Sequence, residues 1–229
     1  MQADAQEASG ADADKAAPVR PRAAGRARPF PLGRTARIAV FASGRGSNLA
    51  SLLAAFPPHA AATDGRLGSI TLVISNRSDA PALERARAAG VSAHHVRWDA
   101  LHGKAAFERE ATTLLTEADI DLVCLAGFMR LLSPDFTERY AGRLLNIHPS
   151  LLPDFRGLHA QRQALEAGVD EAGCTVHFVD AGVDTGAPIL QRKVPVLRGD
   201  TEESLTARIL EAEHEAYPEA VRMVLKGEA

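Results

Sequence analysis

The chain has 229 residues, 46% of them hydrophobic and 24% charged, with a net charge of −3. That balance argues against a protein built around a basic nucleic-acid surface, and no apolar run approaches the roughly 18 residues of a membrane span. Cys124 and Cys174 are its only cysteines. Two are too few for a disulfide framework or a thiolate zinc site, and a reducing, cytoplasmic setting is expected.

Residues 1–36 are rich in Ala, Asp, Pro and Arg, with Asp4, Glu7, Asp12 and Asp14 ahead of a basic half from Lys15 to Arg34. A disordered N-terminal extension is expected there. Acidic residues so early, and the lack of an apolar h-region, argue against a targeting peptide. Residues 37–229 then make roughly 190, enough for one domain with a core of its own.

From Ile38 to Ala42 the chain reads as a short buried strand, followed by Ser43-Gly44-Arg45-Gly46-Ser47-Asn48 and an Ala/Leu-rich helix. Free backbone N–H groups at such a helix start attract phosphate, and small residues let the anion come close. A P-loop would end in Gly-Lys-Ser/Thr, which is absent, and a dinucleotide fingerprint would place a third glycine where Leu49 stands. The glycines also suit a plain tight turn.

The pattern then alternates. Strands are predicted at Ile70–Ile74, Val91–Val96 and Asp121–Ala126, with helices over Ala80–Ala89, stopped by Gly90, and Lys104–Glu117. After a strand holding Asn146 and His148, a helix is predicted over His159–Ala167, strands over Cys174–Val179 and Pro188–Val196, and a final long helix capped by Asp200 with Glu203 at the box position. Pro218 is expected to kink or split that helix. Apolar strands without polar alternation imply burial on both faces. The expected fold is therefore α/β: a doubly wound, mostly parallel, Rossmann-like sheet with helices on both faces.

Chemistry concentrates in Leu144-Leu145-Asn146-Ile147-His148-Pro149. The prolines forbid continuation of the strand, so Asn146 and His148 are presented at its exit, pointing to one side, where ligands of open α/β sheets bind. An Asn amide can donate to developing negative charge. Asp184, in a Gly-rich loop, is the acid best placed to accompany His148. Singly, each has a plainer reading: a structural His before proline, a turn Asn, an Asp bonding its own backbone. His94, His95 and His102 invite a metal reading, but adjacent strand residues face opposite ways and no Cys or acid stands beside them.

Ser43-Gly44-Arg45-Gly46-Ser47-Asn48, Ala126-Gly127-Phe128-Met129-Arg130, Asn146-Ile147-His148-Pro149-Ser150-Leu151-Leu152-Pro153 and Asp184-Thr185-Gly186 occur in that order. With them the chain resembles the phosphoribosylglycinamide formyltransferases, a folate-dependent formyltransferase family, from about Arg37 to near its C-terminus. The resemblance implies transfer of the formyl group of 10-formyltetrahydrofolate to glycinamide ribonucleotide in purine biosynthesis. It implies that Asn146, His148 and Asp184 are catalytic, that Gly46, Ser47 and Asn48 hold the substrate phosphate, and that Glu213 holds ribose hydroxyls. Met129, Arg130, Leu131 and Leu132, with Asn146, match the folate pocket, and Arg130 and Lys104 would meet the carboxylates of the folate's glutamate tail. No metal is implied, and a homodimer is. Phe155-Arg156 stands where the family often has Tyr-Pro, and Thr185 where many members have Gly, which leaves the shape of both loops open.

A formyltetrahydrofolate hydrolase would share the trio but resembles chains with an N-terminal regulatory domain, for which residues 1–36 are too short. A methionyl-tRNA formyltransferase would carry a C-terminal RNA-contacting domain, and the charge here does not suit tRNA. A non-catalytic folate- or phosphate-binding protein on the same fold is the reading from another class. The expected partners are therefore small molecules, with neither nucleic acid nor membrane.

Overall fold

The computed structural model describes residues 30–58, 66–99 and 103–229. Residues 1–29, most of the expected extension, lie outside them, as does His102. Seven strands form one sheet: β1 (Ala36–Phe41), β2 (Gly68–Ser75), β3 (Ser92–His95), β4 (Leu122–Leu125), β5 (Leu144–His148), β6 (Glu171–Phe178) and β7 (Pro188–Pro195). Their order is β3-β2-β1-β4-β5-β6-β7. The pairs from β3 to β5 are parallel, whereas β5–β6 and β6–β7 are antiparallel. The link between β6 and β7 is too short for a crossover helix, so β7 returns antiparallel.

Six helices accompany the sheet among the described residues: α1 (Ser47–Ala55), α2 (Pro81–Ala88), α3 (Gly103–Glu117), α4 (Pro134–Arg139), α5 (Ala160–Ala167) and α6 (Glu202–Lys226). Strand alternation divides the apolar side chains between two cores. From β1, Ile38 and Val40 join Leu49, Leu83, Ile209 and Val221 of α1, α2 and α6 on one face. Ala39 and Phe41 join Phe107, Leu115 and Phe136 of α3 and α4 on the other. The doubly wound, mostly parallel α/β architecture expected from the sequence is the one observed.

Three local expectations differ. Residues 30–36 are not all peripheral: Phe30 and Leu32 pack against the first core, Arg34 makes paired bonds of 2.7 and 2.8 Å to Asp121, and Ala36 opens β1. The cap of α6 is Thr201, in a reciprocal box with Ser204, rather than Asp200 with Glu203; Asp200 instead takes the guanidinium of Arg208 and the Ser204 hydroxyl. Pro218 does not split α6, which runs unbroken through it. Residues on both sides of Pro218, from Leu205 to Leu225, are buried, and that packing outweighs a local loss of about 3 kcal/mol. α4 was not foreseen from the sequence; Ser133 caps it, accepting from the Phe136 amide, with Pro134 in its first turn.

Candidate active site

Parallel pairing of β1, β4 and β5 brings their C-terminal ends together, and β1 is the strand from which the chain winds out both ways. That switch point is where α/β sheets bind ligands. The Gly-rich segment leaves β1 there, with Gly46 at φ 75° as the N-cap of α1. Glycine adopts that left-handed conformation without strain. Close packing also crowds any side chain there, since a Cβ on Gly46 would sit 3.0 Å from Ala82 Cα. Ser43 ties three strand exits together: its hydroxyl donates to Asn76 Oδ1 at 2.6 Å and accepts from the Met129 amide at 3.0 Å.

At the end of β5, Asn146 and His148 project to the same side, and Asp184 reaches both from the loop between β6 and β7. Its Oδ2 lies 3.3 Å from His148 Nδ1 and accepts from the Gly157 amide at 2.9 Å; its Oδ1 accepts from Asn146 Nδ2 at 3.5 Å. Asp184 itself is left-handed, with φ 52°, a strained conformation of the kind that concentrates at functional sites. The loop around it is closed by Thr185, whose hydroxyl donates to Asp180 Oδ1 at 2.6 Å. Thus the residue that departs from the family pattern acts as a loop clasp. Burial pushes the Asp184 carboxyl up. The hydrogen bond from His177, the Gly157 amide and the imidazoles of His148 and His177 outweigh it, and hold the group below its ordinary value.

His148 is buried, and its Nε2 lies 2.9 Å from the Phe155 carbonyl. A carbonyl only accepts, so that nitrogen carries a proton; Nδ1 can donate to Asp184 as well only when the ring is doubly protonated.

A fourth polar residue was missed from the sequence. His177 sits opposite Asn146 in the antiparallel β5–β6 register, its Nε2 3.1 Å from Asn146 Nδ2 and 3.6 Å from Asp184 Oδ1. Its signal was a polar residue inside the apolar strand predicted over Cys174–Val179, but only the register reveals what it faces.

A second polar constellation lies at the start of α1. Asn48 donates to Glu213 at 2.7 Å, joining the start of α1 to the middle of α6, and both are buried. Burial raises the Glu213 carboxyl to about 7, against the lowering effect of the Asn48 bond. A cavity of about 560 Å³ is lined by Gly46, Ser47 and Asn48 together with Met129 and Arg130. Met129 and Leu131 are exposed apolar side chains at 66% and 62%, the kind of surface a ligand covers. Leu132 differs: it is half-buried and packs into the second core. Arg130 lies 5.6 Å from the Trp98 ring centre, and Trp98 packs on Phe107 of α3, three residues beyond the exposed Lys104. Lys104 is thus near the Arg130 side of the site but is not brought into contact with the trio. Another cavity, of about 530 Å³, lies at the opposite strand ends around Arg34, Ser69 and Ser92. It contains none of the candidate residues and sits at the pole where such sheets do not bind ligands.

Residues 36–221 match the formyl transferase family model. The chain belongs to the formyl transferase family. The phosphoribosylglycinamide formyltransferase of Escherichia coli is 50% identical over 184 residues, covering 79% of this chain and 83% of that protein. The trifunctional purine biosynthetic protein adenosine-3 of Drosophila melanogaster is 50% identical over 196 residues, 86% of this chain. This formyl transferase chain spans only 14% of the length of that protein. A crystal structure of glycinamide ribonucleotide transformylase 1 from Symbiobacterium toebii superposes with a TM-score of 0.77 at 52% identity, covering 84% of this chain and 89% of that one.

Proposed function

We propose that this formyl transferase is a phosphoribosylglycinamide formyltransferase, moving the formyl group of 10-formyltetrahydrofolate to the amine of glycinamide ribonucleotide. The observation that carries the reading is the meeting of Asn146, His148 and Asp184 at one strand exit. The similarity to the Escherichia coli enzyme along most of both chains supports it. The reading takes in a cytoplasmic setting, with small molecules as the substrates and no call for metal, nucleic acid or membrane. The homodimer implied by resemblance is part of it.

In this reading the neutral amine attacks the formyl carbon, forming a C–N bond and a tetrahedral centre with an oxyanion and an ammonium. Asn146 and doubly protonated His148 donate to the oxyanion. The Asn146 N–H that points at Asp184 across 3.5 Å is the loosely held one, and so the one free to turn to a ligand. His148 Nε2 is taken by the Phe155 carbonyl, so an oxyanion bound at that nitrogen replaces the carbonyl as its acceptor. Asp184, ionised because its carboxyl is held low, accepts the ammonium proton directly or through water. Collapse breaks the bond to the folate nitrogen, which leaves with the proton returned by Asp184 directly or through water, and releases the formylated amine. Gly46, Ser47 and Asn48 hold the phosphate, Glu213 the ribose hydroxyls, and Met129, Arg130, Leu131 and Leu132 the folate, with Lys104 and Arg130 on its carboxylates.

The test is turnover and ribonucleotide binding in His148→Ala and Asp184→Ala. Turnover should fall by about 10² or more with binding retained. A near-normal rate in either variant would remove the trio from the chemistry.

A further inference from the structure

Three arginines, Arg45, Arg77 and Arg130, line the cavity beside the Gly-rich loop, and no Asp or Glu does. Two of the three are engaged. Arg77 makes bonds of 3.0 and 2.8 Å to Asp79, and Arg130 lies over Trp98. Arg45 is exposed and has no partner among the described residues.

Its position is electrostatically wrong for the fold alone. Arg45 directly precedes the N-cap of α1, where the helix dipole is positive, and the first turn of α1 holds no acid. Proteins favour acids there and place cations at the other end. A local rule broken at the mouth of a cavity, with nothing in the fold to compensate, points to a ligand that does. An anion seated on the α1 amides would resolve the conflict and take the guanidinium in paired hydrogen bonds.

We propose that Arg45 is a substrate-positioning residue that grips the phosphate of the ribonucleotide from the solvent side while the α1 amides hold it from beneath. The inference rests on the reaction proposed above. The glutamate carboxylates of the folate are the competing anion. Arg45 is flanked by Gly44 and Gly46 at the phosphate-holding turn, whereas Arg130 is the guanidinium on the Trp98 side of the cavity.

The experiment compares the full chain with Arg45→Ala and Arg45→Lys. KM is measured separately for each substrate, and inorganic phosphate is titrated calorimetrically. Arg45→Ala should raise the KM for glycinamide ribonucleotide about tenfold and weaken inorganic phosphate similarly, with kcat changed far less and the KM for the folate unchanged. Arg45→Lys should restore part of the loss, since it returns the charge without the fork. Phosphate affinity unchanged in Arg45→Ala would overturn the proposal, as would a rise confined to the folate KM. A loss of stability in phosphate-free buffer would make Arg45 structural and overturn it too. If the wild-type chain fails to transfer formyl to the ribonucleotide, the reaction is wrong, and the phosphate titration still decides Arg45.

Discussion

His177 Nε2 lies 3.1 Å from Asn146 Nδ2, while its Nδ1 lies 2.7 Å from the Phe178 carbonyl. The carbonyl can only accept, so Nδ1 holds a proton; in the neutral ring Nε2 then accepts from the Asn146 amide, and only the doubly protonated ring donates from Nε2 to Asp184. The ring therefore fixes which end of Asn146 carries its hydrogens toward the site. His177→Ala should lower kcat by about tenfold, less than the 10² to 10³ expected for Asn146→Ala, with little change in either KM. The double variant should be no worse than Asn146→Ala alone, because the two act as a unit. Steady-state rates of the three variants check this; additive losses would show that His177 works independently of Asn146.

Glu213 makes stability depend on pH in a direction opposite to that of a paired surface acid. Burial raises its folded value to about 7 from 4.5. Between those values the folded chain keeps a proton that the unfolded chain has released, so stability falls as pH rises through the window and levels off above it. Glu213→Gln removes the ionisation and keeps an acceptor for Asn48. The variant should match the wild type near pH 4 and exceed it at pH 8 by up to about 3 kcal/mol. Urea unfolding at both pH values checks this, and parallel curves would contradict it. Ribonucleotide binding should weaken in the same variant, so stability and function separate at this residue.

Strand positions, the two-faced core and the presentation of Asn146 and His148 at one strand exit were legible because each leaves a local mark. Apolar runs such as Leu122–Leu125 are continuous where both faces are covered, and Pro149 announces the end of β5. What was not legible depends on contacts distant in sequence. The role of His177 needs the β5–β6 register. The Asn48–Glu213 bond spans 165 positions, and nothing local marks Glu213 as buried in a helix whose Glu211 and Glu215 are exposed. Tyr217, whose hydroxyl lies 3.0 and 3.2 Å from the Leu125 and Leu145 carbonyls, ties α6 to β4 and β5 by the same kind of remote contact. At Pro218 tertiary packing overrode a local rule.

Gly186 tests whether the Asp184 loop must lie where it does. A Cβ there would stand 1.8 Å from the Phe178 carbonyl oxygen, so the loop would have to move off β6. Gly186→Ala should destabilise the fold by roughly 1–3 kcal/mol and cut kcat more than either KM. Chemical denaturation and steady-state kinetics together check it. Wild-type turnover in a stably folded variant would show that the Asp184 position tolerates displacement.

In the proposed reaction, formyl leaves the folate only for the amine of the ribonucleotide. A coupled absorbance assay of the purified protein with 10-formyltetrahydrofolate, run with and without glycinamide ribonucleotide, tests it directly. Tetrahydrofolate appearing only when the ribonucleotide is present is the predicted result. Equal release without it would make the protein a hydrolase, and no release in either case would leave the trio without the chemistry assigned to it.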